Sequence, residues 1–231
     1  MVKVVRGVSL NERKGREMMR TSLWSMVFVL ALSGAARAEQ GKPVAQPVMD
    51  AAKQAADAEK HAMMEKLLQL GSPSEGHKAL EPLVGRWTYT ATFLMTPDAQ
   101  PQSMAGTAVN TLILGGRFLQ EAITGPAQAE GQPPFEGLGF TGYDNLRNEY
   151  QTIWFDNMNT SMMRGNGKFD AASKTLSDEG DFSCPITGET HRWYRTAWTI
   201  TDPSHTTYQS FSHAPNGQEF KSMEIQYTRA Q

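Results

Sequence analysis

The chain has 231 residues with a formal net charge of −2, is 39% hydrophobic and contains one cysteine. That length accommodates one domain with a sizeable core plus terminal extensions, and the near-neutral balance gives no basic field for nucleic acid and no charge run for a membrane surface. A lone cysteine excludes an internal disulfide.

The first segment with a distinct character is Leu23 to Gly34, an apolar run preceded by Arg13, Lys14, Arg16 and Arg20 and followed by the small-x-small pattern Ala36-Arg37-Ala38. This is the form of a signal peptide over residues 1–38, with Met18 or Met19 as the more ordinary start. The run is shorter than the ~20 residues a spanning helix needs. The mature form is therefore expected without a transmembrane segment, in an exported compartment, periplasmic or secreted. Residues 39–74 then read as a polar, Pro-containing leader and a helix over Val48 to Leu70. Met49, Ala52, Ala56, Met63, Leu67 and Leu70 recur on one helix face, and Gly71 and Pro73 stop it. The stripe reads as a loosely docked face on its own domain, or as a partner or membrane-surface helix; an alanine-rich face buries little area.

From residue 75 to 231 the signals are those of strands. After a short helical turn, Trp87, Tyr89, Ala91, Phe93 and Met95 alternate with Thr88, Thr90, Thr92 and Leu94. Extended runs follow at 106 to 114, 117 to 124, 135 to 156, 160 to 169, 175 to 182, 190 to 200, 206 to 213 and 219 to 229. The connectors between them are rich in turn residues, among them Asp144-Asn145, Gly165-Asn166-Gly167, Asp178-Glu179-Gly180 and Pro215-Asn216-Gly217. The stretch 135 to 156 reads as a hairpin whose second strand is aromatic on both faces, which predicts that both are covered. About ten strands with no intervening helix form an up-and-down antiparallel meander, and such a meander removes its edges most simply by closing into a barrel. On closure the first and last strands pair, which brings Trp87 near Arg229 and predicts a guanidinium over the indole face and against carbonyls of the turn at Leu83 to Gly85.

The motifs Leu83-Val84-Gly85-x-Trp87, Leu114-Gly115-Gly116-Arg117-Phe118-Leu119, Phe135-Glu136-Gly137 with Gly142-Tyr143-Asp144, Trp154-x-Asp156 and Met223-Glu224-Ile225 with Tyr227-Thr228-Arg229 together resemble the bacterial family known as domain of unknown function 1579, over roughly Glu75 to Arg229. The resemblance implies a calycin-like or lipocalin-like barrel. It implies no activity; the calycin-like relatives imply binding of a small, mostly apolar molecule inside the barrel.

If Trp87, Tyr89, Phe93, Tyr143, Tyr150 and Trp154 point inward, they line a cavity of large apolar surface with a few polar tips; alternatively they fill the barrel. Arg117, Glu121 and Asp156 are the charged candidates for a ligand's polar end, with Glu224 in the last strand; the other reading of these groups is an internal salt bridge or a solvent-facing side. Two function classes follow: a module that binds or carries a small apolar or amphipathic ligand, or an enzyme using a buried carboxylate in the same pocket. There is no Gly-x-Ser-x-Gly elbow for a hydrolase. The five histidines are scattered without metal-ligand spacing, and no metal or other cofactor is expected. A haem held by one histidine would fall to His205 or His213, both near turns. Cys184 reads as a small buried hydrophobe rather than a redox group. Oligomeric state is not legible.

Overall fold

Alternation decides the architecture. In the first strand, β1 (Gly85–Phe93), Trp87, Tyr89 and Ala91 are buried while the intervening threonines are exposed, so one face belongs to an interior and the other to water. The computed structural model describes residues 46–127 and 129–231 and carries this pattern through β2 (Gln102–Ile113), β3 (Phe118–Ala127), β4 (Pro134–Asp144), β5 (Glu149–Asp156), β6 (Met163–Asp170), β7 (Thr175–Phe182), β8 (Arg192–Asp202), β9 (His205–His213) and β10 (Glu219–Arg229). Every strand pairs antiparallel with its neighbours in sequence, and β1 pairs with β10, so the sheet is a closed ten-stranded barrel. Of the two units into which the chain divides, Met1–Met49 and Asp50–Gln231, the second holds all ten strands. The signal-like run lies outside the described residues. No helix among those described is long and apolar enough to cross a membrane.

Two short elements, α2 (Glu75–Lys78) and a 3-10 turn at Glu81–Leu83, plug one end. Leu80 and Leu83 go into a cluster with Leu119, Tyr150, Leu176, Trp198 and Ile200. The carbonyl of Leu83 accepts both Trp87 Nε1 at 2.9 Å and Asn110 Nδ2 at 3.0 Å, so a free end of the turn is satisfied from within the barrel. The expected closure is present to the residue. Trp87 stands opposite Arg229, whose guanidinium lies 4.2 Å from the indole centroid and donates to the carbonyls of Val84 at 2.6 Å, Pro82 at 2.8 Å and Pro203 at 2.7 Å.

The helix α1 (Gln46–Gly71) forms as expected, but none of its residues is buried; Met63 and Leu67 of the stripe are 66% and 63% exposed. Its attachment is at its end, where Asn145 Nδ2 donates to the carbonyls of Leu70 and Ser72 and Arg117 Nε to that of Gly71. The hairpin β4–β5 departs from expectation too. On its outer side Phe140 and Phe155 shield each other by stacking at 6.1 Å, while Ile153 is 39% exposed. Among the described residues, aromatic bulk on both faces here reflects a ring pair on the surface and not a second covering layer.

Candidate functional site

Beyond the plug the barrel is not filled. A cavity of about 370 Å³ opens between its walls, within the size range of small-molecule sites. Leu119, Leu176 and Trp198, the inner surface of the plug cluster, form its floor. Its mouth is the other end, ringed by Phe93, Met104, Phe135, Met158, Met163 and Met223. Apart from Met158, these stand at or near the strand ends remote from Trp87. Methionines suit such a rim, because unbranched, polarizable side chains adapt to an irregular apolar surface.

Between floor and mouth lie two carboxylates, with a third, Asp156, at the end of β5. Asp178 comes from the middle of β7, on the same face as Leu176. Thr152 Oγ1 donates to its Oδ2 at 2.5 Å and Thr196 Oγ1 to its Oδ1. Gly165 makes this cluster possible: a Cβ there would stand 2.4 Å from Asp178 Oδ2 and 2.8 Å from the Tyr194 hydroxyl. Burial pushes the Asp178 carboxyl up to about 6 against the opposing pull of the Thr152 bond. Glu121, from β3, is only partly buried by surface, but what it faces is the cavity, so desolvation dominates and lifts it to about 7; the bond from Tyr227 pulls the other way. Tyr227 Oη donates to Glu121 Oε1 at 3.0 Å. Burial, then the Glu121 charge, raises the Tyr227 phenol well above its ordinary value, and burial followed by the Asp178 charge does the same to Tyr208. Both phenols therefore stay protonated and serve as hydrogen-bond groups. No lysine, arginine or histidine lines the cavity among the described residues.

Of the residues singled out from the sequence, Tyr89, Phe93, Glu121, Trp154 and Asp156 line the cavity. Trp154 lies over Gly137, where a Cβ would come within 2.4 Å of its ring, and its Nε1 donates to Asp156 Oδ2 at 2.8 Å. Trp87, Arg117, Tyr143 and Tyr150 do not line it. Trp87 is consumed by the plug. Tyr150 faces inward but at plug level, donating its hydroxyl to the Gly76 carbonyl at 2.7 Å, and Tyr143 packs beside it against His77. Arg117 precedes β3 and turns outward to the carbonyls of Gly71 and Leu114. Glu224 also faces out, bonded to Lys221 and Gln209. Cys184 is half-buried in the segment between β7 and β8, not in the core.

The residues the sequence reading passed over are Asp178, Thr152, Thr196, Tyr194, Tyr208 and Tyr227. Asp178-Glu179-Gly180 and Gly165-Asn166-Gly167 look like connectors but pair with each other inside β7 and β6. The period-two alternation from Leu176 was the available signal, since it puts Asp178 on the inner face. His205 bonds Asp202 and His213 stacks on Trp193 at 4.3 Å, so neither offers the cavity an axial haem ligand. Among the described residues no group of three or more His, Cys, Asp and Glu could hold a metal ion.

The family described as "Protein of unknown function (DUF1579)" matches residues 72–229. No curated protein matches the sequence. Among solved structures, the crystal structure of Rv2717c from M. tuberculosis is similar at 14% identity, with 69% of this chain and 100% of that one covered and a TM-score of 0.50. The likeness is one of fold.

Proposed function

Because the chain belongs to DUF1579, a family of unknown function, its activity has to be read from the cavity, and we propose that the barrel binds or carries a small, largely apolar molecule. The observation that carries this is the unfilled space of about 370 Å³ with aromatic and methionine walls above a closed floor. A barrel evolved for stability alone would fill it, because each empty methylene-sized space weakens a core. Tyr89, Glu121, Tyr208 and Tyr227 supply a few polar tips at mid-depth, the arrangement that orients a ligand with one polar end. The same proposal has the protein exported, resting on the apolar run and cleavage pattern at 23–38.

Native mass spectrometry of the protein purified from its own compartment tests the first part. The expected result is a retained small molecule that is lost on denaturation; a uniformly empty barrel contradicts the carrier reading. Sequencing the amino terminus of that sample tests the second, with Glu39 expected first and an intact apolar run as the contradicting result.

A further inference from the structure

The chemistry of the cavity's polar groups narrows what it holds, and this step rests on the binding reading above. The walls bring in three carboxylates, Glu121, Asp156 and Asp178, and no cationic side chain among the described residues. The acids are not equivalent: Asp156 accepts from Trp154 Nε1 at Oδ2 and from the Met158 amide at Oδ1. Both oxygens of Asp178 are engaged by threonine hydroxyls, so it is committed to the barrel's own structure. Glu121 accepts from Tyr227 at Oε1, while Oε2 turns towards Gly139. A Cβ on that glycine would stand 3.5 Å from Oε2 and 3.2 Å from Trp154 Cε3, so Gly139 keeps open the space in which the carboxylate and the indole approach one another.

We propose that the cavity takes an apolar molecule bearing a protonated amine, anchored by Glu121 with the aromatic rings around it. A buried carboxylate gains most from a charged donor, whose bonds are roughly twice as strong as neutral ones. The ring faces of Trp154 and the neighbouring Tyr89 and Tyr227 add attraction for a cation out of water. A fatty acid meets the opposite situation: its carboxylate would enter a space with three acids and no counter-charge among the described residues. A neutral alcohol finds hydrogen bonds but no charge compensation.

The test is isothermal titration of the full chain with decylamine, decanol and decanoate, which share one tail and differ in head group. It is run at about pH 8, where Glu121 is ionised and an alkylamine is protonated. Decylamine is expected to bind at least about tenfold more tightly than either other ligand, the scale of one charge-assisted bond. Glu121→Gln keeps the side chain's volume and an acceptor for Tyr227, and is expected to narrow the gap between decylamine and decanol by about tenfold. Decanoate or decanol binding as tightly as decylamine, or an unchanged gap in the glutamine variant, overturns the amine assignment and leaves the binding reading standing. If none of the three binds, both fall. The ranking on the unmodified protein does not depend on any variant folding.

Discussion

The two ends of the barrel are made by the same ten strands and meet opposite demands. At the plugged end most polar groups are held by the backbone: the Leu83 carbonyl takes two buried donors, the Tyr150 hydroxyl is held by Gly76, and Arg229 closes three backbone carbonyls while covering Trp87, with Asn110 Oδ1 left without a partner among the described residues. In the cavity half the polar groups are side chains facing space, and two of them are acids whose burial works against their charge. β1 shows the contrast within one strand, since Trp87 is 1% exposed in the plug and Phe93, six residues on, lines the mouth. One end is packed against the plug, and the other keeps an opening that costs packing.

The largest effect expected from that contrast is on Trp87. Trp87→Ala should cost about 3–5 kcal/mol in urea unfolding, as a large core side chain does, whereas Trp154→Ala, whose ring already borders a void, should cost less than half as much. Equal costs would erase the distinction. Arg229→Ala comes next, at about 2 kcal/mol for the lost carbonyl bonds and the cation over the indole. Arg195, paired with Glu219 at 2.6 Å on the barrel's outside, should lose under ~1 kcal/mol on the same change. A thermally silent Arg229 change would show that the barrel closes without it.

The acids provide a third probe. A carboxyl raised in the folded state binds its proton more tightly there than in the unfolded chain, so its contribution is fully present below the unfolded value, near 4.5 for Glu121, and is lost as pH rises through about 7. The unfolding free energy should therefore fall across that window, and Glu121→Gln should remove about 3 kcal/mol of that fall. An unchanged profile would mean that Glu121 is hydrated in the fold. The smallest effect is expected at the rim. Met158, 51% exposed, should tolerate alanine within about 0.5 kcal/mol of the original stability.

Most of the plug was legible because its determinants are periodic or fixed by closure. The alternation after Gly85 sets the inner face of β1, and a closed meander forces β1 against β10, which brings Trp87 to Arg229. The cavity was legible only in part. Tyr89, Glu121, Trp154 and Asp156 follow from parity along their strands, but the depth at which each stands depends on strand stagger, so Tyr150 shares a face with Trp154 and yet ends in the plug. Asp178 was obscured by composition: Asp-Glu-Gly has the chemistry of a turn and outweighed the period-two alternation from Leu176 that puts Asp178 on the inner face, where it packs against Gly165 of a neighbouring strand. Arg117 misled for the reverse reason, since a motif that reads into a strand turns outward at its first residue.

A ligand should enter above the plug and leave the plug unmoved. Fluorine NMR of protein labelled with 5-fluorotryptophan, each resonance assigned by a Trp→Phe variant and the sample titrated with decylamine, reports on both regions at once. The Trp154 resonance is expected to shift in a saturable way while that of Trp87 stays fixed. A shift at Trp87 with none at Trp154, or saturation with neither moving, would contradict this expectation.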